Sequence, residues 1–133
     1  MIPLLLAGSL ALAAPVPKDL KKKYPPDPER LLGAWEIVVN EDNGKPKAEV
    51  KVVVWTFTEG NMHSSSGNSN WKITLDVDQT PKHIDIGNYK GVYEFDGEKL
   101  TIVYSGNTRP AELKSAAGNY FVTLVKAKDQ PAK

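Results

Sequence analysis

The chain has 133 residues, 41% of them hydrophobic, with 17 Lys and Arg against 16 Asp and Glu, a formal net charge of +1. That length fits one domain with a modest single core, and the near-neutral balance offers no basic face for a nucleic-acid partner. With no cysteine in the chain, disulfide staples and thiol chemistry are excluded, and the core alone must hold the fold.

Met1 to Ala13, MIPLLLAGSLALA, is an uncharged apolar run ending in the small-x-small pattern Ala11-Leu12-Ala13, which a signal peptidase reads. Residues 1–13 are therefore expected to be a signal peptide, cleaved before Ala14, and the mature chain to be exported to the periplasm or the extracellular space. A membrane span takes ~20 apolar residues. Pro15, Val16, Pro17 and Lys18 end the run before that length, so no stable membrane anchor is expected after cleavage. Residues 14–28, with Lys18, Lys21, Lys22 and Lys23 followed by Tyr24-Pro25-Pro26-Asp27-Pro28, read as a flexible Lys/Pro-rich linker. Residues 29–128 read as the domain, and 129–133 as a tail.

From Leu31 onward short alternating runs replace the linker pattern. Trp35, Ile37 and Val39 alternate with Glu36 and Asn40, and Trp71, Ile73, Leu75 and Val77 alternate with Lys72, Thr74, Asp76 and Asp78. A period of two marks half-buried strands. Further strands are expected at Val50–Thr58, Asn61–Ser65, Lys82–Ile86, Tyr89–Phe95, Lys99–Ser105 and Tyr120–Lys126. Turn residues stand between them at Asp42-Asn43-Gly44, Glu59-Gly60-Asn61, Ser66-Gly67-Asn68, Asp96-Gly97 and Ser105-Gly106-Asn107. Asp96-Gly97 is the clearest hairpin signal, since a two-residue type I′ turn needs positive φ at both positions. Helical pieces are expected only at Pro28–Leu32 and Pro110–Ala116.

Eight short strands in meander order must close on themselves or split into two sheets, because open edges invite aggregation. Chain order with short connections favours an all-β, eight-stranded antiparallel up-and-down barrel. Such a barrel is just wide enough to be filled by side chains or to hold one small ligand. With Trp35, Trp71, Tyr93 and Leu100 facing inward, a small cavity or a packed core is expected rather than a large one.

Leu31-x-Gly33-x-Trp35 resembles the opening motif of lipocalin-like barrels. Together with Pro81-Lys82-x-Ile84-Asp85, Gly91-Val92-Tyr93-Glu94-x-Asp96-Gly97-x-x-Leu100 and Arg109-Pro110-x-x-Leu113, it resembles the planctomycete lipocalin-like family of small exported domains over residues 31–126. The chain departs from that pattern in Leu113, where Phe is usual, and in a shorter connection from Asp85 to Gly91. The resemblance implies structural roles for Gly33, Trp35, Asp85, Gly91, Tyr93, Gly97, Arg109, Pro110 and Lys126. It implies that Trp35 plugs one barrel end under a basic side chain, with Lys126 the candidate and Arg109 the alternative.

Three groupings invite a chemical reading. His83 and Asp85 share one face of a strand about 6.6–6.8 Å apart, the His-x-Asp part of a facial triad, which needs another His. The other His is His63, upstream in a polar run, and a closed zinc site lacks its ligands. With Ile84 and Ile86 turned to the core, His83 and Asp85 read as a polar outer face, with Asp85 open to a local hydrogen bond. Ser64, Ser65 and Ser66 adjoin His63 without the Gly-x-Ser-x-Gly elbow of a nucleophile. Asp76 and Asp78 form a carboxylate pair that alternation turns to water.

No catalytic, cofactor or metal site is therefore expected. The favoured function is a non-enzymatic exported barrel binding a small apolar or amphipathic ligand. The alternatives are a filled barrel serving as a structural or protein-interaction module of the cell envelope, and an enzyme of unknown type.

Overall fold

The computed structural model describes residues 24–47, 52–67 and 70–127. The expected signal peptide, the Lys18–Lys23 cluster and the 129–133 tail lie outside them. A short helix, α1 (Asp27–Leu31), precedes nine strands: β1 (Gly33–Asp42), β2 (Lys45–Pro46), β3 (Val54–Thr58), β4 (Asn61–Ser64), β5 (Asn70–Asp76), β6 (Lys82–Ile86), β7 (Tyr89–Asp96), β8 (Lys99–Ser105) and β9 (Tyr120–Lys126). All neighbours pair antiparallel in the order β2-β1-β3-β4-β5-β6-β7-β8-β9, and β1 also pairs with β9. The chain thus forms the closed eight-stranded up-and-down barrel that its alternation predicts, with β2 as an added strand. Among the described residues no helix is long and apolar enough to cross a membrane.

The sequence gives no strand signal at β2, because Pro46 cannot donate to a ladder and demotes the segment to an edge. It forms because Asn43 and Gly44 both have positive φ, 60° and 81°, the two-residue turn that suits a hairpin. At the other hairpin the expected turn is displaced by one residue: Asp96 pairs with Lys99, so Gly97-Glu98 are its central residues, with φ of 61° at Gly97 alone. Glycine at the first central position is the type II′ arrangement, which leaves Asp96 in the strand. The expected helix at Pro110–Ala116 is absent. That stretch is part of an irregular connection, 106–119, with Pro110 buried.

Val77, expected to continue the face of Trp71, Ile73 and Leu75, lies past the end of β5 and is 45% exposed, and within a strand alternation fails in the first. A register shift between Ile37 and Val39 makes Val38 a bulge: Ile37 pairs with Leu124, but Val39 pairs with Thr123 and Asn40 with Val122. Val39, expected on the inner face, is 38% exposed, and Asn40 takes its place inside.

One barrel end is plugged. Trp35 is buried at 2% exposure, its Nε1–H donates to the Leu31 carbonyl at 2.8 Å, and its ring lies 5.9 Å from that of Phe95. Lys126 Nζ sits 4.9 Å from the indole centroid and donates to the Leu32 carbonyl at 2.7 Å. Gly33 enters the strand at a φ of 112°, and a Cβ there would come within 3.2 Å of Lys126 Nζ. Arg109 lies elsewhere, against Asp85.

Helix α1 is fastened over this plug. The Asp27 carboxylate accepts from Tyr93 Oη at 2.7 Å and Lys82 Nζ at 2.9 Å. Arg30 donates to the Gly97 carbonyl at 2.7 Å and stacks on Phe95 and Tyr24. Asp27 and Pro28, which the composition assigns to the linker, are thereby part of the domain. Leu31 of the helix joins one buried cluster with Phe57, Ile84, Tyr93, Leu100 and Leu124.

Removing the indole with Trp35→Ala empties the centre of this plug and takes away the partner of both Leu31 and Lys126. A loss of ~3–5 kcal/mol is expected, a large share of the ~5–15 kcal/mol typical of a domain. A denaturant titration showing less than ~1 kcal/mol would contradict the assignment of Trp35 as the plug.

Candidate functional site

The opposite end of the barrel is not filled. A cavity of about 410 Å³ opens there, lined by side chains from almost every strand. Its wall carries Trp55 from β3, Trp71 from β5, Tyr89 from β7, Tyr104 from β8 and Tyr120 from β9, with Ile37, Val53, Met62, Ile86 and Val122 between them. Trp35 does not line it.

Register explains why these rings meet. Tyr89 begins β7, Tyr120 begins β9 and Tyr104 stands next to the end of the antiparallel β8 between them, so all three reach the same level on the inner face. Tyr104 and Tyr120 are direct cross-strand partners and stack at 5.0 Å and 27°. Tyr89 meets both edge-on, at 5.5 and 6.0 Å. Trp71 lies 6.0 Å from Tyr89, and Trp55 lies 6.1 Å from Tyr104. Offset and edge-to-face ring contacts of this kind add ~0.5–1.5 kcal/mol each beyond area burial, so the wall is a bonded surface rather than a loose collection of rings.

Two glycines let it form. A Cβ at Gly87 would stand 2.7 Å from Trp71 Cε3, and Gly87 has a φ of 60°. A Cβ at Gly91 would meet the Val103 carbonyl at 2.8 Å and Tyr104 Cβ at 3.0 Å. Both aromatic side chains therefore rest on backbone that any larger residue would push away.

The polar part of the lining is Asn40, Lys47, Ser64 and Ser66 together with the tyrosine hydroxyls. Ser64 and Ser66 Oγ bond each other at 2.9 Å, which accounts for part of the serine run beside His63. Lys47 is held at the rim by its backbone N–H, which donates to the Asn40 carbonyl at 2.9 Å. Burial pushes the Tyr104 phenol above its ordinary value, reinforced by Tyr89, Tyr120 and Asp42.

The other sequence candidates lie away from this cavity. Ile84 and Ile86 face the core, and His83 and Asp85 lie on the outer side. Asp85 accepts from Arg109 Nη1 at 2.8 Å, and the same nitrogen donates to the Gly91 carbonyl at 2.9 Å. Lys90 Nζ is 3.7 Å from the second oxygen of Asp85. Val92 and Val103 point outward by alternation yet are 1% and 0% exposed. The 106–119 connection is fastened to this face through Arg109.

His63 is exposed and cross-strand from Asn70, while His83 pairs with Asp76, so β5 separates the two imidazoles. No grouping of three metal-ligating residues occurs among the described residues. Asp76 is exposed, its carboxyl held below the usual range by the Gln79 side chain and then by the Asp78 N–H. Asp76 and Asp78 are not a facing pair.

Sequence reasoning missed Asn40, Lys47 and the three tyrosines. The bulge at Val38 hid Asn40. The tyrosines were legible in principle, because each sits at a strand position that projects the same barrel end inward. Compared with known proteins, the chain matches no family model, no curated protein and no solved structure.

The pH dependence of stability follows from the phenols. Tyr93 is pushed up by burial, then by its hydrogen bond to Asp27 and the charge on that carboxylate, and Tyr104 by burial first. A raised folded-state value favours the neutral phenol in the fold, so the stabilisation is complete below the unfolded value of about 10 and is lost as pH rises above it. Unfolding at rising pH should set in above pH ~10, and Tyr104→Phe should move its midpoint upward. An unchanged midpoint by circular dichroism would show that Tyr104 ionises in the folded barrel.

Proposed function

We propose that this protein is a non-enzymatic binding module that takes a small apolar or amphipathic ligand into the open half of its barrel. The cavity of about 410 Å³ carries this reading: it exceeds the ~300 Å³ at which ligand pockets begin. It also has the character of such sites, an apolar wall with a few placed polar groups. Among the described residues its lining includes no carboxylate and no imidazole, which supports binding over acid–base catalysis. The competing reading, a barrel filled throughout and used as an interaction module of the envelope, draws on the packed half alone.

Export is part of the proposal. It rests on the apolar run closed by Ala11-Leu12-Ala13 and on the resemblance of residues 31–126 to the planctomycete lipocalin-like family. N-terminal sequencing of protein recovered outside the cytoplasm should begin at Ala14, and a retained Met1 there would refute cleavage.

Binding is tested with an environment-sensitive apolar dye such as 1-anilinonaphthalene-8-sulfonate. The folded protein should bind it saturably, at one site. Val53→Trp, which places a large side chain in the lumen from a half-buried wall position, should lower the affinity ~10-fold or more while the cooperative thermal transition is retained. Equal dye binding by a folded Val53→Trp variant would move the site to the outer surface and overturn the proposal.

A further inference from the structure

The lining of the open half says more than that it is apolar. Its aromatic wall is continuous: Trp71, Tyr89, Tyr104 and Tyr120 are linked by ring contacts of 5.0 to 6.0 Å, and Trp55 joins them through Tyr104. An alkyl chain laid on such a wall gains area burial only, and loses rotational freedom as it does so. A rigid ring gains ring–ring contacts as well and has little freedom to lose.

The second observation is an excess of unused donors. Among the described residues no protein group hydrogen-bonds the hydroxyls of Tyr89, Tyr104 or Tyr120, or the Asn40 amide, though all four residues line the cavity and are half-buried. Polar groups drawn part-way out of water are satisfied by whatever enters with them. The third observation is charge: among the described residues Lys47 is the one charged residue lining the cavity, and Asp42, the carboxylate that acts on Tyr104, is not part of the lining. Filled to the interior packing density of about 0.75, the space takes on the order of 15–20 non-hydrogen atoms.

Resting on the reading of the open half as a ligand site, we propose that its ligand is a planar aromatic anion of one or two rings. Its rings lie against the Trp71–Tyr120 wall, and its carboxylate or phenolate oxygen turns toward Lys47 and Asn40. The tyrosine hydroxyls complete the donor set. Positions at the rim are solvated, so Lys47 contributes selectivity more than affinity.

Four probes of similar size separate the contributions: 2-naphthoate, 2-naphthylmethanol, laurate and (2-naphthylmethyl)trimethylammonium, each titrated by calorimetry against the wild-type barrel and Lys47→Met. Naphthoate should bind ~10-fold more tightly than laurate and ~5-fold more tightly than the alcohol. In Lys47→Met the preference of acid over alcohol should vanish while the affinity for the alcohol stays the same. Laurate binding as tightly as naphthoate would overturn the aromatic part of the inference, and tighter binding of the ammonium would overturn the anionic part. In both cases the cavity remains a ligand site of another class. An acid preference surviving in Lys47→Met would refute the placement of the anion. Failure of all four probes to bind would remove this inference and the binding function with it.

Discussion

The pairing of β1 with β9 closes the barrel, and the bulge at Val38 within that pairing decides what each half of the lumen contains. Before the bulge, Trp35 and Ile37 face inward opposite Lys126 and Leu124; after it, Asn40 faces inward opposite Val122. An unbroken alternation would have turned Val39 and Glu41 into the lumen and Asn40 to water. One inserted residue thus exchanges an apolar wall position for an amide, and turns Glu41 outward while Asp42 comes opposite Tyr120 at the strand end. Bulges also strengthen local twist, which helps the long β1 bridge its two barrel partners, β3 and β9.

The closed half supplies the stability that the open half does not. Its side chains are large, buried and mutually packed, and the groups that hold α1 over them are bonded in more than one way: Asp27 to two donors, Arg30 to a carbonyl and two rings, Trp35 to a carbonyl beneath a cation. Since a domain is stable by only ~5–15 kcal/mol, this concentration matters. A barrel whose packing were spread evenly would have no region to leave open.

Much of this architecture was legible in the sequence, and the places where it was not have physical reasons. Alternation located the barrel strands, because a half-buried antiparallel strand writes its two faces into the chain at period two. It placed Ile84 and Ile86 inside and His83 and Asp85 outside correctly. It failed at Val39, since a bulge shifts parity without any residue type that marks it, and at Lys45–Pro46, where strand pairing comes from the turn and not from the strand residues. Pro110–Ala116 reads as helical from its composition, yet Arg109 is drawn to Asp85 and the Gly91 carbonyl, and tertiary bonding overrides a weak local preference. The cavity was the least legible feature. Knowing that Trp55, Trp71 and Tyr104 face inward does not say whether their rings meet in the middle or lean on the wall.

Leaning on the wall is what the glycines permit. The Trp71 ring lies over Gly87, in space that a Cβ would otherwise take, and the Tyr104 Cβ packs beside Gly91, so neither side chain is pushed toward the centre of the lumen. The rings then stabilise one another along the wall through edge contacts, which reach fewer neighbours than insertion into the centre would. Such an arrangement leaves apolar surface and phenol donors facing a solvent-accessible space, a cost that water relieves only for the hydroxyls. Occupation by a flat molecule with a polar edge would relieve both, and none of the hydrogen bonds that fasten α1 over the plug uses a residue of that lining.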